Sequence, residues 1–324
     1  MKYQPLGNTG LRVSQLSFGA ASLGEEYGTI DPAEGERSVH FAIDQGINYF
    51  DVAPYYGATL AESRLGSALV GKRDRVIVAT KVGRYKDPQG NEIFDFTSRS
   101  IRENLEQSLR RLRTDAIDVY QAHDIEFVPR RRILEEALPT LYDLQREGKI
   151  RFVGITAYPV HLLKDIAQQA DVDTILSYSR YHLLDTSLDD VLVDLAPSKG
   201  IGLINASPLN MGLLTAKGPP EWHPAPDSVK RKAGELAELC RSHGSDLSEL
   251  AMQFALNYSG VATTLVGMSK VRHVQRNLDV LAKPIDGGLL RAARELSRTV
   301  ANLCWQEGLV ENHDPGSVPP SATM

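Results

Sequence analysis

Short continuous runs of Val, Ile, Leu and Phe alternate along this chain with longer stretches in which apolar residues recur every three or four positions. The runs fall at residues 16–19, 49–52, 76–80, 117–122, 152–155, 174–176, 202–205 and 263–266. Several have no polar alternation, as strands buried on both faces of a parallel sheet require. Between them the spacing predicts amphipathic helices. Ile101, Leu105, Leu109 and Leu112 share one face, and so do Leu134, Leu138, Leu141 and Leu144. Further helices are expected at 33–45, 61–70, 160–169, 188–198, 228–243, 246–257 and 270–281. Eight strand–helix units fit a closed barrel better than an open doubly wound sheet, and no Gly-x-Gly-x-x-Gly follows the first run. The expected fold is therefore α/β, a (β/α)8 TIM barrel. A β-hairpin, residues 2–5 and 11–14 around Gly7-Asn8-Thr9-Gly10, precedes it, and an extra helix follows it. We expect one domain over residues 1–311 and a loose tail rich in Pro, Gly and Ser over 312–324. The proline-rich stretch Lys217–Asp227 reads as a loop of fixed shape.

Composition narrows the function. The 36 basic and 41 acidic residues give a net charge of −5, with no basic patch for nucleic acid. Cys240 and Cys304 are the only cysteines, so neither a disulfide framework nor a metal-binding spacing is present. The opening MKYQPLGNTG lacks the apolar core of a signal peptide, and no apolar run reaches the ~20 residues of a membrane span. A cytoplasmic protein acting on a small molecule is expected, without metal, nucleic acid or membrane, as a monomer or weak homo-oligomer.

Barrels carry their active sites at the C-terminal ends of their strands. Here the second run ends in Asp51 and leads through Pro54 to Tyr55 and Tyr56; the third ends in Lys81; the fourth ends in His123, followed by Asp124. A polar residue at one strand end often does no more than cap a helix. Four on three consecutive strands make a proton-transfer device. A free tyrosine titrates near pKa ~10, and a neighbouring ammonium favours the phenolate, so Lys81 is expected to lower Tyr56. Asp51 can hold the lysine charged and in place, and His123 can align a substrate oxygen.

These residues stand in recognisable blocks: Asp51-Val52-Ala53-Pro54-Tyr55-Tyr56-Gly57 with Glu62, Val78-Ala79-Thr80-Lys81, and Asp118 to His123. In them the chain resembles the aldo-keto reductases over nearly its whole length, with Val52 where threonine is usual. The resemblance implies that Tyr56 is the general acid/base, that Lys81, Asp51 and His123 support it, and that Tyr55 forms a pocket wall.

The resemblance also implies a nicotinamide dinucleotide laid across the strand ends. Thr156 and Ser177 fall where the family holds the carboxamide, with Ala157 unable to bond it. Ser207 and Leu209 follow the seventh strand, where Ala206 replaces a stacking aromatic. Gly267, Ser269, His273 and Asn277 lie where the phosphates and adenosine would sit, a turn running into a helix N-terminus. Ser269 can equally be an ordinary helix cap. Met268 and His273 replace the basic residues with which NADP-using relatives grip the 2′-phosphate, so NAD is the expected cofactor, with Lys270 and Arg272 the alternative clamp for NADP. The loops 123–127, 207–215, 218–225 and 265–269 resemble the branch of the family that oxidises the anomeric hydroxyl of an aldose to a lactone, with L-galactose expected first and L-fucose or D-arabinose beside it. Asp124 and Glu126 can accept hydroxyl hydrogen bonds, Trp222 and His223 can cover the sugar ring, and Asp124 can instead cap a helix. Two alternatives stay open: another aldehyde substrate such as pyridoxal, and a non-catalytic dinucleotide-binding subunit.

Overall fold

The computed structural model describes residues 1–87 and 89–321. Its strands, in chain order, are β1 (Tyr3–Pro5), β2 (Arg12–Ser14), β3 (Leu16–Gly19), β4 (Tyr49–Asp51), β5 (Ile77–Val82), β6 (Arg84–Lys86), β7 (Glu92–Phe94), β8 (Ile117–Ala122), β9 (Ile150–Ala157), β10 (Thr174–Tyr178), β11 (Gly202–Ala206) and β12 (Thr263–Gly267). Eight of them, β3, β4, β5 and β8 to β12, pair in parallel and close into a barrel through β12 and β3, with Thr264 opposite Leu16. The eight expected runs are these eight strands. The hairpin β1–β2 is also where the turn residues place it.

The apolar pattern explains the layers. Tyr49, Ala79, Val119, Leu176 and Ile204 point inward and meet Leu6 and Val13, so the hairpin plugs the N-terminal end of the barrel. Outward residues such as Phe50, Val78 and Ile155 pack on the helix stripes, including Ile101, Leu105 and Leu109 of the helix Ser98–Leu112. A second apolar cluster joins helices Asp227–Ser242, Leu247–Leu256 and the extra helix Gly287–Ser297 to Trp305.

Two motif residues turn out to be scaffolding. Glu62 is fully buried and accepts from Thr80 Oγ1 and Arg111 Nε, both at 2.7 Å, tying its helix to β5 and the next helix. Asp118 accepts from Arg73, Arg151 and the Val78 amide near the other end of β8.

The helix expected at 188–198 is two, Ser187–Leu192 and Leu195–Lys199. Pro197 cannot donate into a continuous helix, and its ring crowds the carbonyl four residues back. The tail differs more. Asp314 accepts from the Val160 and His161 amides and pairs with the buried Arg180 at 3.1 Å, while Val318 bridges to Trp305. Residues 312–321 are therefore docked on the barrel and not loose. A Pro/Gly/Ser-rich composition gave no hint that one buried carboxylate would anchor the segment.

Candidate active site

The C-terminal ends of the strands surround a cavity of about 460 Å³, lined on one side by Asp51, Tyr56, Lys81 and His123. All four expected residues meet there. Lys81 is 1% exposed, bonds to the Asp51 carboxylate, donates to the Val52 carbonyl at 2.9 Å, and lies 3.3 Å from the Tyr56 hydroxyl. Gln121 donates to the other Asp51 oxygen at 2.9 Å, so both oxygens of that buried carboxylate are engaged. Tyr56 and His123 meet edge to face at 5.8 Å between ring centres.

A tight turn fixes Tyr56. Gly57 has φ of +60°, and a Cβ there would meet Gly24 Cα at 2.7 Å, so only glycine allows this approach. The Gly57 amide donates to Glu26 at 2.6 Å.

The electrostatics depart from the expectation in one respect. Burial, then the charges of Asp51 and Asp124, raise the Tyr56 phenol well above the ordinary tyrosine value. The phenol is thus favoured over the phenolate, where a lowered value was expected from Lys81 alone. The reason is that exclusion from water and two nearby carboxylates outweigh the opposing pull of the Arg84 guanidinium. Burial also pushes Asp51 up against the pull of Lys81 and Gln121. Exclusion from water lowers His123 to about 3, so it is a neutral imidazole at any working pH. Its Nε2 lies 3.6 Å from Asp124, and its Nδ1 has no hydrogen-bond partner among the described residues.

The remaining expected contacts divide. Tyr55 and Trp222 line the cavity, Trp222 half exposed at its mouth. Asp124 lines it too, with a left-handed φ of 50°, but its carboxylate is held by Arg84 and by the Thr156 hydroxyl at 3.2 Å, and it caps no helix through its side chain. Thr156 is therefore engaged by Asp124 on its cavity face. Glu126 is a correction: it is fully buried beneath the site, accepting from the Tyr158 amide and the Tyr178 hydroxyl. His223 is another. It is 1% exposed, its Nε2 meets the Asn210 carbonyl at 2.9 Å and its Nδ1 accepts from Ala225, so it shapes the loop and does not line the cavity.

On the opposite side the wall is made of small residues, Gly19, Ala20, Ala21, Ala206, Ser207 and Gly267. Ser207 sits at a left-handed φ of 57°. Near Gly267 the Ser22 hydroxyl is buried without a partner among the described residues. Such a smooth wall, with an unsatisfied hydroxyl beside it, fits the flat ring and backbone of a dinucleotide. Ser177 and Leu209 are packed behind this wall, and Ser269, His273 and Asn277 continue past Gly267, outside the lining. Lys270, not Ser269, holds the N-cap position of the helix Val271–Ala282 without a side-chain cap, and Glu34 accepts from the Val271 amide at 2.9 Å. Met268 is fully buried.

Several cavity residues carry no motif. Arg84 on β6 binds Asp124 and Glu92 and stacks over Tyr55 at 4.0 Å; Trp305 and Glu307 enter from the C-terminal segment.

A closed parallel barrel with Asp, Tyr, Lys and His gathered at one rim defines an oxidoreductase architecture, and residues 15–296 match the Aldo/keto reductase family. The chain belongs to that family, whose members work with nicotinamide cofactors. It is 41% identical to L-galactose dehydrogenase of Arabidopsis thaliana, over 96% of this chain and 99% of that protein. It is 31% identical to D-threo-aldose 1-dehydrogenase of a Pseudomonas species, over 86% of this chain and 93% of that one. The holo form of an aldo-keto reductase from Bacillus halodurans has the same fold, with a TM-score of 0.77 at 30% identity over 93% of this chain and 96% of that one.

Proposed function

We propose that this protein oxidises the anomeric hydroxyl of a small aldose to the aldonolactone with NAD, with L-galactose the leading substrate and L-fucose and D-arabinose beside it. The observation that carries the reading is the coincidence of the four-residue constellation with near full-length similarity to an L-galactose dehydrogenase. The similar D-threo-aldose dehydrogenase supports a sugar over other carbonyl compounds.

The residues act as follows. The C1 hydroxyl lies against Tyr56 and His123. Tyr56 takes the hydroxyl proton while the C1–H bond gives up its hydride, leaving a C1 carbonyl. When bound, the oxidised nicotinamide supplies the hydride acceptor and a positive charge beside the phenol. Lys81, at 3.3 Å, stabilises the phenolate form that must accept the proton. Asp51 anchors Lys81, and the pair is tolerated in the interior because each charge is engaged. His123, held neutral, aligns the oxygen by hydrogen bonding and exchanges no proton. The wall at Ala206, Ser207 and Gly267, with Ser22, would hold the dinucleotide.

NAD is favoured over NADP for two reasons. Met268 turns into the core and offers no charge, and the helix N-terminus past Gly267 is already engaged, since Glu34, itself paired with Arg37, accepts from the Val271 amide that a further phosphate would use. Initial rates of NADH and NADPH formation with a panel of aldoses test the whole reading. It requires turnover of at least one of the three sugars, with kcat/KM higher for NAD; activity on none of them, or equal use of NADP, contradicts it.

A further inference from the structure

Four carboxylates line the cavity, and three have their charge answered by protein. Asp51 is bonded by Lys81 and Gln121. Asp124 is bonded by Arg84 and Thr156. Glu26 is bonded by Lys86 at 2.8 Å and the Gly57 amide. Glu307 differs. No cation pairs with it among the described residues, and its one partner is the Trp305 indole, whose Nε1 donates to Oε2 at 2.8 Å. The second oxygen, Oε1, accepts no hydrogen bond among the described residues, although Glu307 is withdrawn from water enough that burial raises its carboxyl pKa.

The mount is rigid. Trp305 is 3% exposed, stacks on Tyr158 at 4.3 Å and 19°, and lies edge-on to His223 at 5.7 Å. Its segment is held from beyond by the Asp314–Arg180 pair. A carboxylate fixed on a rigid indole in a cavity, with one oxygen uncommitted and no cation in pairing distance among the described residues, lacks hydrogen-bond donors. A polyhydroxylated substrate supplies such donors, and a simple aldehyde does not.

Resting on the reading of this cavity as an aldose site, we infer that Glu307 is a specificity-determining residue, accepting a hydrogen bond from a sugar hydroxyl other than the one oxidised. Losing a hydrogen bond to a charged group costs on the order of tenfold or more in affinity.

The test compares wild type and Glu307→Gln with the best aldose and with its monodeoxy analogues. Glutamine keeps an oxygen for the indole but replaces the free acceptor by a donor when so oriented. With the parent sugar, KM is expected to rise about tenfold or more while kcat falls less. In the wild type, one monodeoxy analogue should show the same loss, and Glu307→Gln should show no further loss with that analogue. The analogue series on the wild type stands even if the variant folds poorly. Unchanged KM in a folded variant, additive losses in variant and analogue, or a wild type indifferent to every remote hydroxyl would overturn the assignment. A wild type that oxidises no aldose at all would remove the reading of function, and this assignment with it.

Discussion

Lys81 Nζ lies 3.3 Å from the Tyr56 hydroxyl while its other bonds go to the Asp51 carboxylate and the Val52 carbonyl. The ammonium is thereby fixed by β4 and presented to the phenol, so its position does not depend on the substrate. This relationship sets the pH behaviour of the reaction. The Tyr56 phenol stands above the ordinary tyrosine value, so the oxidation rate should climb with pH across the neutral and alkaline range.

Tyr56→Phe removes only the phenolic oxygen from a side chain held by a close turn. Turnover should fall by about 10²–10⁴-fold, the usual contribution of general acid–base catalysis, with thermal stability nearly unchanged. Near wild-type kcat in this variant would exclude Tyr56 as the proton acceptor.

Lys81→Met removes the charge and leaves Asp51 buried without its cation. The rise of rate with pH should move to higher pH, because the phenolate loses its stabilising neighbour, and the apparent value belongs to the coupled pair. Stability should fall by about 3–5 kcal/mol, the penalty for breaking a buried pair. The double variant Asp51→Asn, Lys81→Met should regain much of that stability but not the rate. A pH profile unmoved by Lys81→Met would show that the lysine does not tune the tyrosine.

His123 is lowered by burial from 6.5 to about 3. Its neutral form is favoured in the folded state, so below the unfolded value the unfolded chain takes up a proton that the folded chain refuses. Stability is lost as pH falls from about 6.5 toward 3, at about 1.4 kcal/mol per pH unit. Between pH 7 and pH 5 the wild type should lose about 2 kcal/mol relative to His123→Gln in denaturant unfolding. Equal losses would place a titrating, solvent-linked histidine at this position. The same variant should lower kcat without shifting the alkaline rise.

Much of this was legible in the sequence, for physical reasons. Strands of a closed parallel barrel are buried on both faces, so apolar runs such as 76–79 announce themselves, and chemistry at strand ends put Asp51, Lys81 and His123 on one rim. What stayed hidden depends on contacts between distant segments. Arg84 reaches Asp124 across a hairpin insertion, and Trp305 and Glu307 reach the cavity from a stretch without periodicity. His223 and Glu126 sat in the right loops, yet side-chain direction, which spacing in a loop does not encode, turned both away from the cavity. The phenol was misjudged because one nearby cation was visible in the motif and the burial was not.

Asp314→Ala tests the docked tail. Among the described residues it leaves the buried Arg180 with Asp185, 3.5 Å away, as its one carboxylate and the Ser187 hydroxyl at 2.9 Å, and it frees the Val160 and His161 amides. Stability should fall by about 3 kcal/mol, and the KM for the sugar should rise because Trp305 and Glu307 lose their anchor. A melting temperature and KM both at wild-type values would mean the tail contributes nothing to the site.

The most direct measurement of the central claim follows the hydrogen at C1. Incubating the enzyme with NAD and L-galactose deuterated at C1 should yield NADH carrying the deuterium, together with the lactone, and a slower rate if hydride transfer limits turnover. Deuterium retained in the sugar product, or NADH formed without label, would contradict oxidation at the anomeric carbon.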